Sequence, residues 1–363
     1  MLSSPAIPSV HVFVMARGQG HRLFPLTKNI CKPAVPFGTS NRIIDFTLAN
    51  VHNANLKQCS VLTPYKALTL QNHLRKHWSN VGNIQQSSPT VVGNALSILD
   101  ALEKNLDNHS DIIGILPSDH ISQFDLAETL KQHLLQKSKA SILCMKMPSN
   151  KCGSFGILRR KNHKVNEFIE KPNSIPTRFK EGTDCWINIG IYWFSRELLI
   201  QILRQDAHNA DSHHDFGHNI IPLLTTQYLP TAIEVDHQQA WRDVGTIKSY
   251  WNTHWNTSFQ TISQWNVPQT IKGELMGEVY TMSTIPTSTH ISQCIIHENV
   301  KVGERCHIQK TIIGSNSIID RDITLHPKST IIGEVKIAEE CLIIPSSTHI
   351  RKRMDGTLIC APL

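Results

Sequence analysis

The sequence predicts an α/β protein: a mostly parallel sheet with helices on both faces, followed by a short parallel β-helix. Three observations predict it. Short apolar runs alternate with helix-period segments from Val10 to about residue 255. The first run ends in a glycine-rich turn. Far downstream, aliphatic residues recur roughly every six positions. At 363 residues the chain exceeds the size at which one core usually stops growing, so two domains are expected.

Val10–Met15, Gln58–Thr63, Asp111–Pro117 and Ser141–Met147 are short, apolar and bounded by turn residues, as buried strands are. Between them, Arg42–Ala54, Ala67–His77, Asn94–Leu106 and Asp125–Lys137 place apolar residues at helical spacing. Such alternation implies a largely parallel sheet, and ligands on such sheets bind beyond the carboxyl ends of the strands. The turn after Met15 and the carboxylate of Asp119, after Ile112–Leu116, both fall at strand ends of that kind.

The turn itself is Ala16-Arg17-Gly18-Gln19-Gly20-His21-Arg22, followed by Lys32-Pro33-Ala34-Val35-Pro36-Phe37-Gly38. Gly18 and Gly20 have no Cβ to keep backbone N–H groups away from a phosphate. Arg22 and Lys32 would add positive charge around the same anion. An ordinary strand-exit turn is the alternative for the glycines alone. A dinucleotide-dependent oxidoreductase would want a third glycine at position 23, which is Leu23.

From Thr257 to His290 the pattern loosens into Thr, Ser and Pro, which reads as a linker. Thereafter Val302 and Ile308, Ile313 and Ile319, and Ile331 and Ile337 keep the six-residue frame, with Gly303, Gly314 and Gly333 following aliphatics. That period marks a left-handed parallel β-helix of about three coils. A few ordinary alternating strands are the alternative. Open coil ends need covering, so oligomerisation is expected. An acyltransferase site would find little surface on so few coils.

Composition fits a soluble globular protein, with 40% hydrophobic and 18% charged residues. A net charge of +7 suits polyanionic substrates. Lys and Arg are scattered, and the densest cluster, Arg351-Lys352-Arg353, is short, so nucleic-acid binding is not expected. Nine dispersed cysteines without a Cys-x-x-Cys pair imply reduced thiols in the cytoplasm. No apolar run approaches membrane-span length, so no membrane association is expected.

The extended string from Met15 to Gly38 resembles the signature of the sugar-phosphate nucleotidyltransferases, most closely the glucose-1-phosphate adenylyltransferases. Arg42–Asn50, Leu116–Ile121, Phe155-Gly156-Ile157, Phe168–Pro172, Asn188–Tyr192, Ser212–Gly217 and Trp241–Thr246 match further family segments, in the family's order. The resemblance implies a Rossmann-like nucleotidyltransferase domain over 1–256, a linker over 257–290 and the left-handed β-helix over 291–363. It also implies joining of ATP and glucose 1-phosphate into ADP-glucose and pyrophosphate, for glycogen or α-glucan synthesis. The expected assembly is a homotetramer, or a heterotetramer with a related subunit.

In that family's chemistry the nucleophile is already an anion, so cations and a divalent metal must stabilise the developing charge. Asp119 and Asp243 match the carboxylates that hold Mg²⁺. Alternatives are a helix N-cap for Asp119 and a turn residue for Asp243. Arg22 and Lys32 would face the ATP phosphates, making Arg22, Lys32 and Asp119 the catalytic group. Ala16, Gly18, Gly20 and Gly93 would line the nucleotide. Lys171 would grip the phosphate of glucose 1-phosphate, unless it is a surface lysine at a turn. Gly156, Glu170, Asn188 and Asp215 would line the sugar pocket, with Trp241 packed in its wall.

Departures cluster on the nucleotide side. Arg17 stands where the family has glycine, and could crowd the loop or contact phosphate. Leu96 replaces a carboxylate, Thr90 a tryptophan and Ser118 a glycine, while His218-Asn219 replaces the common Lys-Asp. Asn29 stands where the family commonly has an activator-binding lysine. Two readings follow: a divergent active enzyme, with ATP or another nucleotide, or a catalytically weakened regulatory subunit.

Overall fold

The structure, a computed structural model, describes residues 8–18, 20–63, 67–79, 83–86, 93–235, 241–256, 267–268, 270, 274–276, 278–338 and 341–363. Gln19, Thr90 and most of the expected linker up to residue 273 lie outside these. The chain forms two compact units: residues 1–17, 47–118 and 122–241, and residues 18–46, 119–121 and 242–363.

The first unit is built on a ten-stranded sheet. Nine of its strands run, in spatial order, Asn83–Gln86, Cys59–Thr63, Val10–Met15, Ile112–Pro117, Asp184–Ser195, Ala140–Pro148, Thr231–Glu234, Lys164–Ile169 and Ile157–Lys161, and the tenth, Lys180–Glu181, pairs with Asp184–Ser195. The expected strands and helices appear within a few residues of their sequence bounds: α1 (Ile43–Asn53), α2 (Leu68–His77), α3 (Asn94–Glu103) and α4 (Leu126–Leu135). Three more helices follow, α5 (Arg196–Ala207), α6 (Ile221–Tyr228) and α7 (Ile247–Asn256).

The expectation of a mostly parallel sheet is corrected: the sheet is mixed. Its first four strands are parallel, but Asp184–Ser195 runs antiparallel to both neighbours. A parallel pair needs a long crossover, usually a helix. Between Pro148 and Asp184 the chain has only a hairpin and short 3-10 turns, so the strand returns reversed.

Helices do cover both faces. In the strand Asp184–Ser195, Phe194 packs with Phe13 and Ile115 against Ile98 of α3 and Leu199 of α5. Its neighbour Trp193 points the other way and donates from Nε1 to Thr129 of α4 at 3.1 Å. Alternation along a strand makes this division unavoidable.

The strand-rich end of the second unit is a stack of parallel pairs. His290–Ile296 pairs with His307–Ile313, which pairs with Leu342–Ile344. His290 faces His307 and Lys301 faces Ile318, the same advance along the chain in each case. Val302, Ile308, Ile313 and Ile319 are buried in one core with Ile323, Leu325 and Ile344. Ile331 is half-buried and packs against the same core, whereas Ile337 is 56% exposed, which corrects its inward assignment. Lys336–Ile337 instead turns outward, antiparallel to Leu342–Ile344, and Lys336 reaches the carbonyl of Phe24 at 3.2 Å. Within the expected linker, Glu274–Met276 and Val279–Thr281 are paired strands. Among the described residues no helix is long and apolar enough to cross a membrane. All nine cysteines are free thiols.

Candidate functional site

In the second unit the glycine-rich turn folds back on itself. Gly20 adopts φ 72°, where a Cβ would meet Lys32 and Thr27, and its carbonyl accepts from Leu23 N–H at 2.8 Å and from the Thr27 hydroxyl at 2.8 Å. The Lys32 amide donates to the Gly18 carbonyl at 3.3 Å, so the turn sets where the lysine starts. Nothing lies within 4 Å of where a Gly18 Cβ would sit.

Lys32 then extends to two carboxylates from distant parts of the chain. Its Nζ lies 3.0 Å from Asp119 Oδ2 and 3.8 Å from Asp243 Oδ1. The lysine side chain is 5% exposed, whereas the carboxylates are 38% and 22% exposed. A buried ammonium is tolerated because paired anions offset its desolvation. Neither local alternative for the aspartates holds. Asp119 precedes the strand His120–Ser122, so it has no helix to cap. Thr246 takes the cap position of α7, accepting from Ser249 N–H at 3.1 Å, and Asp243 ends the strand Trp241–Asp243.

Arg22 belongs to the same neighbourhood. A Cβ on Gly245 would lie 2.9 Å from both Arg22 Nη2 and Asp243 Oδ1, so the missing side chain leaves those groups their place. Two solvent-facing carboxylates provide hard oxygen donors of the kind Mg²⁺ prefers. Among the described residues, no group of three or more His, Cys, Asp or Glu could hold a metal alone. A divalent ion here would need further oxygens, and substrate phosphates would supply them.

The first unit carries a polar cluster. Glu170 is clasped between two glycines: a Cβ on Gly156 would lie 2.6 Å from its Oε2, and one on Gly217 2.7 Å from its carboxyl carbon. Lys171 Nζ sits 2.8 Å from Glu170 Oε1 and is 55% exposed. Asn188 lies where the register of Asp184–Ser195 shifts. Its amide N–H donates to the Gly156 carbonyl at 2.8 Å, and its Nδ2 to the Tyr192 hydroxyl at 2.7 Å. Burial, opposed by the Asn188 bond and reinforced by the charges of Glu170 and Asp215, pushes the Tyr192 phenol well above its ordinary range.

Asp215 is fully engaged: Oδ1 accepts from His218 N–H at 3.0 Å and Oδ2 from Asn94 Nδ2 at 2.9 Å. Asn94 Oδ1 in turn accepts from Phe216 N–H at 2.9 Å. Gly93 packs so closely that a Cβ would lie 2.6 Å from His214. Ala16 is buried, its N–H bonded to the Leu62 carbonyl at 3.0 Å. Trp241 is buried with its ring 5.3 Å from that of Phe155.

Arg17 neither crowds the turn nor points along it. Its guanidinium donates to the Gly93 carbonyl at 3.0 Å and to Ser97 Oγ in α3. Burial lowers its pKa. Ser118 is accommodated by donating to the Met15 carbonyl at 2.8 Å, and Leu96 packs against the core.

The structure thus brings Arg22, Lys32, Asp119 and Asp243 together, and separately Gly156, Glu170, Lys171, Asn188 and Asp215. Of the four expected nucleotide residues, Ala16 and Gly93 lie in the first unit, Gly18 and Gly20 in the second. Sequence reasoning singled out neither Gly217 nor Tyr192 nor Asn94. The first two lay within quoted motifs, and only their contacts with Glu170 and Asn188 distinguish them.

Residues 11–258 match the family model described as nucleotidyl transferase. The chain is 34% identical to a glucose-1-phosphate adenylyltransferase of Corynebacterium aurimucosum, over 69% of this chain and 67% of that one. It is 28% identical to the protein of that name from Corynebacterium diphtheriae, over 90% of this chain and 80% of the other. With the one from Cutibacterium acnes it shares 29% identity over 88% of each.

Proposed function

Because the chain belongs to the glucose-1-phosphate adenylyltransferase family of nucleotidyl transferases, we propose that it joins ATP and glucose 1-phosphate into ADP-glucose and pyrophosphate. A phosphate oxygen of the sugar phosphate forms a bond to the α-phosphorus of ATP. The bond from that phosphorus to the bridging oxygen breaks, and pyrophosphate leaves with the electron pair. No proton needs removing, so catalysis lies in positioning and charge.

The observation that carries this reading is Lys32 held between Asp119 and Asp243 with Arg22 alongside. Arg22 and Lys32 meet the charge growing on the leaving pyrophosphate. Asp119 and Asp243 hold Mg²⁺, which when bound screens the phosphates from one another. Glu170, Asn188 and the backbone at Gly156 bind sugar hydroxyls, Asp215 fixes that wall, and Lys171 takes the sugar phosphate. Ala16, Gly18, Gly20 and Gly93 line the nucleotide.

The stacked parallel pairs, two of which advance along the chain by the same number of residues, support a left-handed β-helix over 291–363, behind a catalytic domain over 1–256 and a linker over 257–290. That helix would serve assembly into a homotetramer or heterotetramer. A cytoplasmic role in glycogen or α-glucan synthesis completes the reading. One feature favours a second reading, a regulatory subunit with weakened turnover or another nucleotide: Arg17 reaches Gly93 and Ser97, beside the expected nucleotide residues.

The deciding experiment is pyrophosphorolysis by the purified chain with a panel of nucleoside-diphosphate glucoses. Release of ATP from ADP-glucose supports the first reading. Release from another donor moves the nucleotide assignment. No release from any donor, with altered kinetics of a catalytic partner, establishes the regulatory one.

A further inference from the structure

The last turn of α5 holds a carboxylate that the helix itself disfavours. Asp206 is 4% exposed, and a helix C-terminus opposes negative charge just as burial does. Donors from the loop that follows meet it. Asp206 Oδ1 accepts from the Ser212 hydroxyl at 2.6 Å, and Oδ2 lies 2.8 Å from His214 Nδ1. Facing an acceptor-only carboxylate, Nδ1 carries the ring proton. The His214 amide donates in turn to Ser212 Oγ at 2.9 Å, which closes the loop on itself.

The backbone at this point is as constrained as the side chains. His214 has φ 52° and Gly93 φ 89°. Backbone held in the left-handed region persists where its surroundings over-determine it. A Cβ on Gly93 would lie 2.6 Å from the His214 carbonyl oxygen and 2.8 Å from that of His213. The same His214 carbonyl accepts from the Ala95 N–H at 2.9 Å, so the first turn of α3 hangs from the loop. Asn94 bonds Asp215 and Phe216 beside it, and Arg17 holds the Gly93 carbonyl. All of these residues belong to the first unit.

Gly93 is expected to line the nucleotide and Asp215 the sugar, and both are attached to this joint. We propose that Asp206 and His214 are positioning residues that fix the spacing between Gly93 and Asp215, and so hold nucleotide and sugar contacts in step. The inference rests on the proposed roles of Gly93 and Asp215. Neither Asp206 nor His214 needs to touch a substrate. Without the His214 donor, Oδ2 of a buried carboxylate loses its partner. The loop relieves that by moving, and it carries Gly93 and Asp215 with it. A residue that grips one substrate, as Lys171 is proposed to do, would affect that substrate alone.

Two substitutions of one residue test the joint. His214→Ala removes the donor, whereas His214→Asn keeps an amide N–H near the place of Nδ1 and tolerates the positive φ. Hydrogen exchange in the substrate-free chain should speed up together in the segments holding Ala95 and Phe216 in His214→Ala and in Asp206→Leu. It should return toward the original rates in His214→Asn. Calorimetric titration of His214→Ala should show Kd for Mg²⁺–ATP and Kd for glucose 1-phosphate both raised roughly tenfold. His214→Asn should bind nearly as the unaltered chain does. Lost stability alone would shrink the folded fraction and leave both constants of the folded protein in place. Should His214→Ala fail to fold, Ser212→Ala removes the partner of Oδ1 and carries the same test with a smaller shift. A rise in one constant only, unchanged exchange in those segments, or no rescue by asparagine overturns the inference. An unaltered chain that binds neither ligand overturns the functional reading instead, while accelerated exchange still upholds the joint itself.

Discussion

His254 accepts a hydrogen bond at Nε2 from the backbone N–H of Gly38 at 3.1 Å. Its Nδ1, 2.8 Å from the Tyr250 carbonyl, must then carry the ring proton. The neutral imidazole uses both nitrogens, and a second proton would confront the Gly38 donor. Burial accordingly holds its pKa down at about 4. Next to it, Tyr250 donates to the Pro36 carbonyl at 2.7 Å and meets His297 Nε2 at 3.0 Å. Burial first, with the cost of a second positive charge beside His254 and Arg42, lowers His297 to about 3. The segment carrying Lys32 is thus fastened to α7 by groups that must stay uncharged.

An acid-sensitive stability follows. These histidines have folded-state pKa values below the ordinary 6.5, so the unfolded chain binds more protons in between. Their contribution is fully present above about pH 6.5 and is lost as the pH falls toward about 4. A shift from 6.5 to about 4 is worth about 3 kcal/mol at most for His254. His11 and His133, also lowered to about 4 by burial, act with the same sign. Thermal melts should show Tm falling from about pH 7 to about pH 5, and less steeply in His254→Gln. Identical slopes for both proteins would remove His254 from this account.

Asp119→Asn and Asp243→Asn should each lower turnover roughly 100-fold while leaving the melting temperature nearly unchanged. Both carboxylates are partly solvent-facing, and either one alone still pairs Lys32. Steady-state rates beside a melt check this. Full turnover from either variant would take that residue out of the metal site.

Lys171→Ala should raise KM for glucose 1-phosphate far more than KM for ATP. Losing one charge-assisted phosphate contact of ~1.5–3 kcal/mol corresponds to roughly 10- to 150-fold. Arg22→Ala should depress kcat instead, because its charge is needed as pyrophosphate departs. If both substitutions affected both substrates equally, the two halves of the site would be wrongly assigned.

Gly217→Ala should act through Glu170 alone. A Cβ there would lie 2.7 Å from the Glu170 carboxyl, so the carboxylate must shift. Overpacking of this kind costs about 1–3 kcal/mol. KM for glucose 1-phosphate is expected to rise with KM for ATP unchanged. A Glu170→Gln, Gly217→Ala double variant no worse than Glu170→Gln alone would confirm the route.

Much of this was legible in the residues. The strand Val10–Met15 has the bounds its apolar run implies, because local period and flanking turns decide such an element. The direction of Asp184–Ser195 was not legible, since direction depends on what connects two strands rather than on their side chains. Motif matching placed Lys32, Asp119 and Asp243 in one site, but not the lysine's burial between the two aspartates. The six-residue frame identified Ile308 and Ile319 as core and failed at Ile337, which lies on a strand running antiparallel to Leu342–Ile344 rather than in the parallel stack. Arg17 could be flagged as unusual, yet its destination at Gly93 and Ser97 needed the fold.

The second unit gathers Gly18–Phe46, three residues at Asp119–Ile121 and everything from Arg242 onward. During synthesis the ribosome delivers these pieces in that order, with most of the protein emerging between the first and the last. Lys32 leaves the exit tunnel long before Asp243 exists to meet it, and His254 and His297 arrive later still. Lys32 can therefore meet Asp119 first but must wait for its second carboxylate until the final third of the message begins to be read, whereas the sheet of the first unit can begin to close early. Chains stalled before Arg242 should leave the Gly18–Phe46 stretch open to limited proteolysis. Chains released whole should protect it.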